Sequence, residues 1–127
     1  MDVMVVGSKD WNDYPDLVRA MTVLIEDWKH ARPEETKLVF IHAGNSGAEN
    51  MLTEWVGKVE GFMKQKGISI KEKLYRLDRS NKVLSDIEML DTKPEMVIVF
   101  QKNACKRASS CAKIAQEYGI PTRVIEG

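Results

Sequence analysis

The sequence predicts an α/β protein, a single doubly wound domain over residues 1–127 with a mostly parallel five-stranded sheet and helices on both faces. Two observations carry this. Short β-branched apolar runs alternate with amphipathic stretches of helical period along the chain. The stretches between the runs are long enough for crossover helices, which parallel pairing requires. No repeat, linker or low-complexity tract interrupts the alternation, and 127 residues suit one core.

Taken in order, Val3–Gly7 (VMVVG) is short, apolar and β-branched, as a strand buried on both faces is. Asp13, Tyr14 and Pro15 mark a helix start, and Leu17, Met21, Leu24, Ile25 and Trp28 follow at helical spacing. ARPEET (31–36) is polar and proline-bearing, hence a loop, and Lys37–His42 is the second strand. Ala48, Met51, Leu52, Trp55, Val56, Val59, Phe62 and Met63 form the longest apolar stripe, with Gly67 ending that helix. Ile70–Leu77 alternates apolar and charged residues, as a strand near a sheet edge does. A short helix over Val83–Leu90, a buried strand Met96–Phe100, a helix Cys105–Tyr118 and a closing strand Thr122–Ile125 complete a Rossmann-like β-α-β-α-β-α-β-α-β order.

Composition narrows the function. Nineteen basic residues balance nineteen acidic ones, which argues against broad charge-driven nucleic-acid binding. No apolar run approaches the roughly 20 residues a bilayer crossing needs. The N-terminal MDVMVVGSKDW carries Asp2 and too short an apolar segment for a signal peptide, so a cytoplasmic protein without membrane association is expected. Cys105 and Cys111 lie about 240° apart around a helix and form neither a CxxC nor a Cys/His metal pattern; two reduced thiols are expected, with no metal and no cofactor.

In an open parallel sheet, ligands bind beyond the carboxyl ends of the strands where strand order reverses. Three loops should share that edge: Gly7–Asp13, Ala43–Glu49 and Gln101–Ser110. In the second (FIHAGNSGAEN, 40–50), Gly44 and Gly47 permit positive φ and close approach of a ligand to the backbone, before a helix N-terminus suited to anions. Asn45 and Ser46 add short polar groups, with Ser46 alternatively capping the helix. His42 either orients the loop or touches ligand. Glu49 is read as a ribose contact, a base, or a complement to the helix dipole. The bland alternative for the whole stretch is a tight, capped βα turn.

In the first loop Gly7 ends the strand, Ser8 offers a hydroxyl and Lys9 a cation, while Asp10 or Asp13 serves as a helix cap. Trp11 is read two ways, as a base-stacking surface or as a buried tryptophan. The third loop (QKNACKRASSC, 101–111) gathers Lys102, Lys106 and Arg107 with Asn103, Ser109 and Ser110, set against the plainer reading of a solvated basic patch. No GxSxG elbow, Walker loop or HExxH is present, so the catalytic residues are unassigned. Asp78 and Asp86 stay open between structural and functional roles.

Two motifs, Gly7-Ser8-Lys9-Asp10-Trp11 and His42-Ala43-Gly44-Asn45-Ser46-Gly47-Ala48-Glu49, together resemble the DUF2493 (YspA-like) family of the SLOG superfamily, which also includes the LOG and DprA/Smf proteins. The closing GIPTRVIEG is similar to that family's last αβ unit, and the resemblance covers nearly the whole chain. It implies a Rossmann-like nucleotide-binding domain with a phosphate cradle at the first and second βα loops. The chain departs from the pattern at Lys9 and Ser46, where relatives carry arginine, at Glu49 in place of aspartate, and at Ser85-Asp86 in place of an arginine-asparagine pair. Lysine and serine lack arginine's bidentate fork. The LOG signature PGGxGTxxE is also missing from 103–111.

The expected function is a module that binds, senses or sequesters a nucleotide or nucleotide derivative without turnover. Cleavage of an N-glycosidic or phosphate bond, with Glu49 or Asp10 as base, is the alternative. Single-stranded DNA binding through Lys102, Lys106 and Arg107 ranks last. The long stripe on the 48–63 helix suggests a homodimer through that helix, against the plainer reading that it is core.

Overall fold

A computed structural model describes residues 1–44, 47–75, 82–103 and 105–127, and for 82–85 the backbone alone. The elements run β1 (Asp2–Gly7), α1 (Tyr14–Ala31), β2 (Lys37–His42), α2 (Ala48–Gln65), β3 (Ser69–Leu74), α3 (Lys82–Asp91), β4 (Met96–Gln101), α4 (Lys106–Glu117) and β5 (Thr122–Glu126). All five strands are parallel, in the order β3-β2-β1-β4-β5. No helix among the described residues is long and apolar enough to cross a membrane.

Alternation along the strands sorts the helices onto two faces. Val3, Val5, Leu38, Phe40, Ile98 and Phe100 point to the face covered by α1 and α2, meeting Leu17, Met21, Trp28, Leu52 and Trp55. Met4, Val6, Ile41, Val97 and Val99 point the other way, against Met89 and Leu90 of α3 and the small residues Ala108, Cys111, Ala112 and Ala115 of α4. Each fully buried leucine or phenylalanine stabilises the fold by about 1.5–3 kcal/mol. Both faces of β1 and β4 are thus covered, which explains why these strands read as unbroken apolar runs.

The chain steps outward from β1 to β2 and β3, then returns to the other side of β1 to lay down β4 and β5. Strand order therefore reverses between β1 and β4, whose carboxyl ends are Gly7 and Gln101. The three loops named above all leave this edge.

The predicted elements are all present, with shifted ends. The third strand closes at Leu74, after which the Tyr75 N–H still donates to the His42 carbonyl; the rest of the expected run, 76–77, lies outside the described residues. Asp13, not Asp10, caps α1, its carboxylate accepting the Asp16 N–H at 3.0 Å. The apolar stripe of α2 goes mostly to the core through Leu52, Trp55, Val56 and Met63, while Phe62 is exposed.

Gly7 is fixed by packing. A Cβ there would stand 2.3 Å from the Cβ of Ala48, so the start of α2 lies directly on the end of β1. Gly7→Ala should destabilise by about 1–3 kcal/mol through overpacking. Adding Ala48→Gly should return most of that loss in chemical denaturation, because it removes the opposing methyl.

Candidate functional site

A cavity of about 300 Å³ opens at the reversal point, bordered by Gly7, Ser8, Lys9 and Asp10 from the first loop and by Lys102, Asn103, Cys105 and Arg107 around the start of α4. Three of these side chains are cationic and one is acidic. Lys9 and Asp10 are exposed, and Lys102 is half-buried with its ammonium donating to Asn12 Oδ1 at 2.6 Å. The N-terminal turn of α4 adds the positive end of its dipole. Asn103 adopts φ 57°, a left-handed turn that asparagine tolerates better than most residues.

Several residues expected to touch ligand make contacts within the scaffold. Ser8 borders the cavity but is almost wholly buried. Its hydroxyl accepts the Lys102 N–H at 2.9 Å and lies 3.2 Å from the Lys102 carbonyl, joining the first loop to the third. Trp11 takes the second of its two readings. It is 2% exposed, meets Phe100 edge-on at 5.1 Å and donates its indole N–H to the Asp13 carbonyl, so it offers no face to a base. Gly47 has φ 83°, yet what approaches it is the first loop: a Cβ there would stand 2.3 Å from the Ser8 carbonyl oxygen.

His42 orients its loop. The imidazole is fully buried, and its Nδ1 accepts the Gly44 N–H at 3.0 Å, which leaves the Nε2 proton to donate to Glu72 at 2.7 Å. Gly44, at φ 73°, thereby has its turn held by a side chain two residues back. Ser109 is exposed on the first turn of α4, accepts from Gln101 Nε2 and does not border the cavity. Asn45 and Ser46 lie outside the described residues.

Glu49 is neither at the surface nor in the cavity wall. Its Oε1 accepts the Ala43 N–H at 2.9 Å, and its Oε2 pairs with Arg107 Nη1 at 3.1 Å. The other arm of that guanidinium, Nη2, reaches Asp86 Oδ1 at 2.7 Å. A buried Glu–Arg–Asp triad therefore ties α2, α3 and α4 together, with Arg107 also bordering the cavity. Burial opposes the charge on Arg107, but the two carboxylates outweigh it and hold the guanidinium more firmly protonated than usual. The Arg107 side chain is only 15% exposed, so its guanidinium faces the two carboxylates more than solvent.

The contribution of Cys105 was missed. It occupies the position just before the first turn of α4, at the cavity wall. Burial raises its pKa, yet the N–H groups of Ala108 and Arg107, the Ser8 hydroxyl and the Arg107 charge together bring the thiol below its ordinary value. Burial and nearby Asp86 push Cys111 the other way, up to about 12. Iodoacetamide should label Cys105 alone, with a rate that reaches half-maximum at lower pH than for a free thiol; mass spectrometry of digests over a pH series reads this directly. The available signal was positional, a cysteine opening the helix after the second reversal-point strand.

Among the described residues no group of histidine, cysteine, aspartate and glutamate is arranged to hold a metal ion. Compared with protein-family models, curated proteins and solved structures, the chain matches none.

Proposed function

We propose that the protein binds a nucleotide or nucleotide derivative, without turnover, in the cavity between the first and third loops. The observation that carries this reading is the cavity's position. It lies where strand order reverses and joins Lys9, Lys102 and the N-terminus of α4, a combination that favours a phosphate. Its volume is at the lower end of the small-molecule range, which favours a mononucleotide over a dinucleotide. The resemblance of the first two loops to the YspA-like proteins supports the same ligand class, though the second loop here braces the cradle more than it lines it.

A hydrolase reading receives less support. Glu49 is engaged with Arg107 and the Ala43 N–H, which leaves Asp10 as the acid bordering the cavity. Calorimetric titration with AMP, ADP-ribose, NAD and a short single-stranded DNA, with chromatography of the products, tests both. Binding of AMP without product is expected. Lys9→Glu, an exposed reversal that leaves the core untouched, should weaken it about tenfold, roughly 1.4 kcal/mol. Product formation would restore the hydrolase, and no binding at all would retire the cradle.

A further inference from the structure

A groove of about 470 Å³ runs between α1 and the edge strand β5, over Ile98, Val124 and Ile125. Val23 and Val124 border it and are 44% and 42% exposed. Two of the other exposed apolar residues have cover or partners from their own chain: the Lys66 ammonium lies 4.7 Å from the Phe62 ring centre, and Tyr118 donates to Asp91; the third, Leu74, ends β3 at the opposite edge of the sheet. The two valines share an open groove instead.

Charges along α1 say what fits there. Arg19, Val23 and Asp27 recur every four residues and form one stripe on the helix. Arg19 touches Asp16 at 2.8 Å and Asp27 touches Arg123 at 3.1 Å, but both side chains still stand well into solvent, 73% and 58% exposed. The stripe is thus antisymmetric about Val23, with a base four residues before it and an acid four residues after.

We propose that a second copy of this chain docks on this groove about a two-fold axis through Val23, with the two α1 helices antiparallel. A two-fold interface must be self-complementary: whatever lies a given distance before the axis meets what lies the same distance after it. That rule sets Arg19 against Asp27 of the partner subunit, twice over. One turn further out it sets Asp16 against His30 of the partner subunit. The valines supply an apolar centre inside this charged rim, the usual anatomy of an interface. Docking here also shields the edge of β5, which otherwise presents unpaired backbone groups. A partner of one charge sign would meet repulsion at one end of the stripe. This proposal is independent of the ligand assigned to the cavity.

Sedimentation equilibrium at high micromolar concentration tests it, with thermal melts first confirming that each variant is folded. Wild type should have the mass of two chains. Arg19→Glu and Asp27→Arg should each shift the protein to monomer, and the double variant should restore the dimer, because the opposite charges then meet again in exchanged positions. Val23→Cys, lying on the axis, should give an interchain disulfide under mild oxidation. A monomeric wild type would overturn the proposal. So would a dimer indifferent to both reversals, a double variant that stays monomeric, or failure of the Val23→Cys cross-link.

Discussion

Arg107→Met should cost the protein about 3–5 kcal/mol, because it leaves two buried carboxylates facing each other without their shared cation. Glu49 is fully buried and Asp86 is 2% exposed, so water is poorly placed to replace the guanidinium. Against a typical total of about 5–15 kcal/mol, the variant would be marginal at 25 °C. The loss should come from the charges more than from the missing contacts. Adding Glu49→Gln and Asp86→Asn to Arg107→Met should therefore recover part of it, even though two more native groups are changed. Urea denaturation of the single and triple variants measures both values. A single variant within about 1 kcal/mol of wild type would mean that the triad is not desolvated as its burial indicates.

This triad marks where sequence reasoning stopped. The strands were legible because β1 and β4 are buried on both faces and so consist of continuous apolar residues, and the reversal-point loops followed from the strand order. Glu49, Asp86 and Arg107 were each noticed, but Arg107 is separated by 58 positions from Glu49 and by 21 from Asp86. Nothing local records that three helix segments converge there. The same gap explains Trp11 and Ser8. A tryptophan in a loop and a serine after a strand look alike whether they face a ligand or a neighbouring loop. What decides between the two is the Phe100 ring and the Lys102 backbone, both supplied from β4 and its loop. Positive φ at Gly44 and Gly47 is legible from glycine itself, but what packs against Gly47, the Ser8 and Lys9 carbonyls, comes from a distant loop that no local pattern records.

Gly47 carries the second large expected effect. Its φ of 83° with ψ −130° is backbone that side-chain-bearing residues adopt only with strain, about 1–3 kcal/mol. A methyl group would also sit 2.3 Å from the Ser8 carbonyl oxygen and 2.8 Å from the Lys9 carbonyl carbon. That segment has little room to retreat, since the Ser8 N–H donates to the Phe100 carbonyl and its hydroxyl is held by Lys102. Strain and overpacking together should bring Gly47→Ala to about 3 kcal/mol or more. Two other glycines separate the causes. Gly67 has φ 78° and nothing within 4 Å of its Cβ position, so Gly67→Ala carries backbone strain alone, about 1–2 kcal/mol. Gly57, inside α2 with the same open surroundings, should gain about 0.5–1 kcal/mol on becoming alanine. Thermal melts of the three variants should rank them in that order. If Gly47→Ala costs no more than Gly67→Ala, the second loop does not rest on the first, and the cavity lacks the brace that fixes Lys9 beside the start of α4.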